Sequence, residues 1–247
     1  MNAVILCGGK GTRLSSISRN RPKILLKIVD TYFIYLLFDS LINQGIKKIF
    51  LLTSYKSEMI KKKVGTKYRN TEITYLDDSK ELNPGTASAL LNSIEFLPEH
   101  FILQYGDTIL DLNYKDFYFR SLENQEQMLM SVYKNELNLD KNNVLIEGNY
   151  LRYFNSENTK SKKVKEITSH IDYGLIGIHK SFLMDNLEKL KENASLKHFQ
   201  EKLSFLNLIK PYFCLKRFYE IGNLESYAQF IEIYKRGDLD RVIIPNS

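Results

Sequence analysis

The chain opens with an apolar run, Ala3-Val4-Ile5-Leu6, that breaks directly into Cys7-Gly8-Gly9-Lys10-Gly11-Thr12-Arg13-Leu14, with Pro22-Lys23 shortly after. This juncture constrains the fold more than any other feature. The run reads as a buried strand. A strand that ends in glycines presents backbone N–H groups at its C-terminal end, with no Cβ to keep a ligand away. Such a loop is a nest for anionic oxygens. Arg13 adds a planar fork suited to phosphate and Lys23 a compact point charge. The combination predicts a polyphosphate bound at the open end of an α/β sheet by Leu6, Gly8, Gly9, Gly11 and Thr12 with Arg13 and Lys23. The loop is not a P-loop, because no Gly-Lys-Ser/Thr closes it at the required spacing, and it lacks the third glycine of a dinucleotide fingerprint. An ordinary surface turn with incidental basic residues is the rival reading, and the attached Thr-Arg-Leu and Pro-Lys weigh against it.

Short apolar segments alternate with helix-like stretches through the first half: strands at Val4–Leu6, Lys48–Thr53, Ile73–Leu76 and Phe101–Gln104, helices at 32–43, Ser57–Val64 and 86–96. Gly45, Gly65 and Pro98 mark helix ends. This order predicts a Rossmann-like, mostly parallel sheet with helices on both faces. Later segments predict a small antiparallel subregion: a strand at Met128–Lys134, a hairpin over 142–154 turning at Glu147-Gly148-Asn149, and a strand at 171–179. The polar, Lys-rich stretch 157–169 reads as a mobile loop. Helices are expected at 182–191 and 197–209, a strand at 214–221 and a last helix at 226–235. With 247 residues and neither repeats nor a low-complexity linker, the chain reads as a single domain over 1–247. Its nucleotide half runs to about residue 112 and a second half covers about 113–247.

Composition excludes several classes. The 43% hydrophobic and 26% charged fractions suit a soluble globular protein. No apolar run is long enough to span a membrane, and the N-terminus lacks a signal-peptide h-region, so a cytoplasmic location is expected. Cys7 and Cys214 do not make a disulfide framework, and Cys7 reads as a small buried residue rather than a nucleophile. The four histidines show no metal-ligand spacing. The formal charge of +6 is spread through a patterned chain without a nucleic-acid-binding module. Attraction of phosphorylated substrates explains it more simply. The aromatic-rich segment 212–234 could pack a homodimer or belong to the core.

Asp107 follows Gly106 at a strand end, where a carboxylate faces the same crevice as the glycine loop and could hold a metal; Asp111 is a weaker candidate. The pattern Gly-Gly-x-Gly-Thr-Arg-Leu…Pro-Lys resembles the signature of the sugar-1-phosphate nucleotidyltransferases. Within them it is most similar to short bacterial guanylyltransferase-like members acting on mannose or D-glycero-D-manno-heptose 1-phosphate. The similarity extends to about Tyr234 and is carried further by Gly106-Asp107 and Tyr219-Glu220-Ile221-Gly222. It implies transfer of a nucleoside monophosphate from an NTP to a sugar 1-phosphate, with pyrophosphate released and an NDP-sugar made for surface polysaccharide such as capsule or lipopolysaccharide. It implies Mg²⁺ held by Asp107 and Glu220. Many relatives have Asp where this chain has Glu220, which is longer by roughly 1.5 Å. The resemblance also implies base recognition at Pro84-Gly85-Thr86, where Thr86 can also cap the helix. Asp172 falls on a sugar-binding Asn position, with Gly174 beside it. The family's Glu-Lys-Pro lysine has no direct counterpart; Lys160, Lys162, Lys163 and Lys165 lie in its region, and Lys163 is taken as the stand-in for the sugar phosphate. The alternatives are a cytidylyltransferase acting on another phosphorylated small molecule and a nucleotide-binding sensor impaired in catalysis.

Overall fold

In a computed structural model of the chain, strand Asn2–Leu6 pairs in parallel with Lys48–Thr53, which pairs in parallel with Thr71–Asp77. The register sets Asn2 against Lys48 and Leu6 against Leu52. Ala3, Val4, Ile5, Ile49, Leu51 and Leu52 are buried, as expected for strands covered on both faces. The crossovers are helical. Phe33–Asn43 buries Phe33, Ile34, Leu37, Phe38 and Leu41 and gives way to Gly45 at φ 88°. Ser57–Val64 buries Ile60 and Val64, carries Glu58 in its first turn and Lys61, Lys62 and Lys63 in its last, and stops at Gly65 with φ 73°. That charge order suits the helix dipole.

The structure describes residues 1–9, 12–18, 20–77, 85–137, 139–192 and 195–243. The chain divides into two units built from non-consecutive segments. Met1–Pro84, Gln104–Lys115 and Phe218–Ser247 form the first, Gly85–Leu103 and Asp116–Arg217 the second. In the first, Phe230 of helix Leu224–Lys235 packs edge-on against Phe33, with ring centroids 5.2 Å apart, and Asn43 donates to the Ile243 carbonyl at 2.6 Å. In the second, the hairpin Val144–Glu147/Tyr150–Tyr153 turns through Gly148 at φ 58°. His170–His179 runs antiparallel to Met128–Lys134, with a register shift between Asp172 and Ile176. Mostly parallel strands with helices around them and an antiparallel portion make up the α/β class that the sequence predicts. Among the described residues no helix is long and apolar enough to cross a membrane.

Several expectations need correction. The stretch 157–169 is not a loop: it holds a 3₁₀ turn, Asn158–Lys160, and a helix, Lys162–Ile167, anchored by buried Thr159 and Val164. The expected helix 86–96 is Thr86–Asn92 followed by a 3₁₀ turn, Ile94–Phe96. The helix expected over 182–191 is two, Lys180–Asp185 and Leu187–Lys191, interrupted at Asn186, whose side-chain amide donates to the Phe182 carbonyl. The one expected over 197–209 is Leu196–Phe205, and Asn207 at φ 59° turns the chain out of it. Ile209–Cys214 is instead a strand, parallel to Met128–Lys134. The late strand shrinks to Tyr219–Glu220. Helix Tyr114–Leu122 had no counterpart in the sequence reading.

Candidate active site

Strand Asn2–Leu6 ends where expected, and Leu6 is half-buried at its edge. Cys7 continues the ladder by donating to the Leu52 carbonyl at 2.8 Å. Gly8 lies against Ser54: a Cβ there would stand 3.1 Å from the Ser54 Cβ. Gly9 is exposed, with nothing within 4 Å of such a Cβ. Gly11 lies outside the described residues, as does the side chain of Thr12. The backbone resumes as the 3₁₀ turn Thr12–Leu14. Leu14 is fully buried and pins this turn, which leaves Arg13 exposed. Burial pushes the Cys7 thiol pKa up, with the Asp107 charge adding to it, so this sulfur stays protonated and is no nucleophile. Both cysteines are buried and free.

Lys23 begins a second 3₁₀ turn, Lys23–Leu25, after Pro22, and the buried side chains of Ile24, Leu25 and Leu26 fix it. Its ammonium meets the Asp107 carboxylate at 2.5 Å, with side-chain exposures of only 16% and 33%. Asp107 is presented by a turn between strands His100–Tyr105 and Thr108–Ile109. Gly106 lets that turn crowd the first strand: its N–H donates to the Leu6 carbonyl at 3.1 Å, and a Cβ would fall 2.5 Å from the same oxygen. Buried Gln104 braces the turn by donating to the Thr108 carbonyl at 3.0 Å and accepting from the Tyr114 hydroxyl at 2.7 Å. Neither brace was recognised from sequence, although a lone polar residue ending an apolar strand was a signal for Gln104.

Glu220 arrives from far along the chain. Tyr219–Glu220 pairs antiparallel with Thr108–Ile109, setting Glu220 opposite Thr108, and the Ile221 N–H donates to the Asp107 carbonyl at 3.0 Å. The two expected metal carboxylates therefore stand on adjoining backbone. Asp111 faces elsewhere: it pairs with Arg241 at 2.7 Å, and Arg241 also reaches the Tyr219 hydroxyl at 3.5 Å. Among the described residues no three His, Cys, Asp or Glu side chains gather as a metal cluster. Mg²⁺ does not need one, because one or two carboxylates and substrate phosphates hold it. Two hard oxygen donors on adjoining strands, in the unit that also holds the glycine loop, suit that ion.

The second unit carries the remaining expected residues. Pro84 lies outside the described residues. Gly85 is the N-cap of helix Thr86–Asn92, in extended conformation, and its N–H donates to the Ser88 hydroxyl at 2.7 Å. Thr86 is therefore not the cap: it is the first helical residue, and its hydroxyl accepts from the Leu196 N–H at 2.9 Å. Asp172 accepts from the Gly174 N–H at 2.9 Å, across a kink where Gly174 takes φ 96°. Lys163 is exposed on helix Lys162–Ile167. His100 and His179 pack ring to ring at 4.6 Å, bonded to the Ser121 hydroxyl and the Leu122 carbonyl.

The family model described as nucleotidyl transferase matches residues 2–147. The D-glycero-alpha-D-manno-heptose 1-phosphate guanylyltransferase of Campylobacter jejuni is 37% identical over 113 residues, which cover 46% of this chain and 50% of that protein. The UTP--glucose-1-phosphate uridylyltransferase AglF of Haloferax volcanii is 33% identical over 125 residues, 51% of each. The chain thus spans about half the length of the curated relatives it matches. Among solved structures, HddC from Yersinia pseudotuberculosis matches over 94% of this chain and 99% of its own, with a TM-score of 0.68 and 25% identity, and has also been solved complexed with GMP-PN.

Proposed function

The chain belongs to the nucleotidyl transferase family, and from that premise we propose that it transfers a nucleoside monophosphate from an NTP to a sugar 1-phosphate. A phosphate oxygen of the sugar bonds to the α-phosphorus as the bond to the bridging oxygen breaks, and pyrophosphate leaves with the electron pair. The observation that carries this reading is the Lys23–Asp107 pair, with Glu220 held on the neighbouring strand and the glycine loop in the same unit.

Phosphoryl-type transfer depends mostly on positioning and charge neutralisation. The backbone at Gly8, Gly9, Gly11 and Thr12 cradles phosphate oxygens beside Leu6. Arg13 holds the β- and γ-phosphates, and Lys23 neutralises charge near the α-phosphate. Asp107 and Glu220 would hold Mg²⁺, which when bound would supply positive charge to offset that of the phosphates. No general base is needed, because the attacking oxygen is already ionised. Pro84, Gly85 and Thr86 are assigned to the base, and Asp172, Gly174 and Lys163 to the sugar phosphate, on resemblance alone. A guanine nucleotide and a manno- or heptose-configured sugar are favoured by the heptose phosphate guanylyltransferase relative. The product would serve surface polysaccharide made from cytoplasmic precursors.

The test is pyrophosphate release with Mg²⁺ across the four common NTPs, sugar 1-phosphates and other phosphorylated metabolites. Release with GTP and a manno-configured sugar 1-phosphate is expected. Release only with CTP would keep the chemistry and change the substrate. NTP binding without release from any pair would leave a nucleotide-binding sensor.

A further inference from the structure

Two residues with side chains, Asn20 at φ 67° and Lys56 at φ 55°, take left-handed backbone and are bonded to each other. The Lys56 ammonium donates to the Asn20 carbonyl at 2.5 Å, and the Tyr55 hydroxyl donates to the Asn20 side-chain oxygen at 2.8 Å. Ser54, Tyr55 and Lys56 follow strand Lys48–Thr53, which runs parallel to the strand that feeds the glycine loop, so both segments leave the sheet at the same edge. Ser54 is the residue that packs on Gly8. Asn20 lies between Arg13 and Lys23 in the sequence. The turn that carries Lys56 is thereby fastened to the segment joining the two expected phosphate cations.

Local physical chemistry disfavours lysine at this position. Left-handed backbone is costly for a residue with a Cβ. Lys56 is also the N-cap of helix Ser57–Val64, makes no side-chain capping bond, and sets a cation at the positive end of the helix dipole. Its ammonium meets the neutral Asn20 carbonyl and lies 5.3 Å from the Tyr55 ring centroid, and among the described residues no carboxylate pairs with it. Lys23, by contrast, is paired with Asp107, and Lys61 with Glu58 and Asp77. Local rules broken together at one residue point to function.

We propose that Lys56 is a phosphate-binding residue for the terminal phosphates of the NTP and for the departing pyrophosphate, with Tyr55 and Asn20 fixing the turn that presents it. This rests on the reading of the glycine loop as a triphosphate site, and adds a further cation to Arg13 and Lys23. Pyrophosphate gains negative charge as it leaves, and an ammonium without a carboxylate partner is free to offset that charge.

The experiment is calorimetric titration with inorganic pyrophosphate, alongside thermal melting. Lys56→Asn places there a residue that tolerates left-handed backbone and caps helices. It should melt at a higher temperature than wild type and yet bind pyrophosphate about tenfold more weakly, the loss of one charged hydrogen bond. Lys56→Arg should keep most of the affinity. Lys62→Asn, on the exposed last turn of the same helix, removes the same charge and should bind like wild type. Wild-type affinity in Lys56→Asn overturns the proposal, as does an equal loss in Lys62→Asn, which would reduce the effect to net charge. Weaker binding in a Lys56→Asn that melts well below wild type, with no rescue in Lys56→Arg, overturns it too. Pyrophosphate binding undiminished in both Arg13→Ala and Lys23→Ala would instead sink the phosphate reading of the glycine loop, whatever residue 56 does.

Discussion

The Lys23 ammonium and the Asp107 carboxylate neutralise each other at 2.5 Å, each largely shielded from water. On the proposed reading, phosphates bound in the glycine loop would offer that cation a second partner. Lys23→Ala is expected to lower kcat by about 100-fold or more, while the unfolding free energy falls by about 1–3 kcal/mol because the shielded Asp107 carboxylate loses this partner. Steady-state kinetics and urea denaturation on one preparation check both, and near-normal turnover in a folded variant would remove Lys23 from catalysis. His100 makes a different prediction. Burial, helped by the His179 charge, pulls its pKa from 6.5 down to about 4. Between those values the unfolded chain binds a proton that the folded chain refuses, so stability falls as pH is lowered through that window. The loss should reach on the order of 2 kcal/mol by pH 5. Urea midpoints at pH 7 and pH 5 should differ more for the wild type than for His100→Asn; equal differences would remove His100 as the cause.

Elements whose ends carry explicit chemistry were legible in the sequence, and those set by packing were not. Ser57–Val64 was read to the residue because Gly65 stops it, and Lys48–Thr53 and Met128–Lys134 because apolar runs meet polar edges. The Lys-rich stretch 157–169 was misread because its helix is amphipathic by a single buried residue, Val164. Ile209–Cys214 was partly absorbed into the preceding helix because apolar character continues across Asn207, and only its left-handed φ breaks the run. At the site, Asp107 and Lys23 could be named from sequence, since both sit at strand or loop ends. Their contact could not be, nor could the Gln104–Tyr114 brace, because both depend on tertiary approach. The closeness of that approach gives a test. Gly106→Ala would press a methyl to within 2.5 Å of the Leu6 carbonyl oxygen, and should destabilise by about 2 kcal/mol or more. A urea midpoint unchanged from wild type would mean that the turn yields without cost.

On the scale of the molecule, the first unit is closed by its last segment. Phe230 is 1% exposed against Phe33, and the Tyr227 hydroxyl donates to the Lys27 carbonyl at 2.6 Å. Phe230→Ala should therefore cost about 3–5 kcal/mol. Its signature in hydrogen exchange should be early loss of protection in strands Asn2–Leu6 and Lys48–Thr53, ahead of Met128–Lys134 in the other unit. Simultaneous loss in all three would mean that the two units unfold as one.

The interleaving of segments also orders the birth of the protein. Synthesis proceeds from the N-terminus and domains fold as units, so the whole of Asp116–Arg217 leaves the ribosome after Asp107 and before Glu220. A nascent chain can form the Lys23–Asp107 pair early, but its second carboxylate strand, Tyr219–Glu220, has nothing to add until the other unit has been made. Throughout that interval the growing polypeptide carries the glycine loop without the strand that sets Glu220 opposite Thr108.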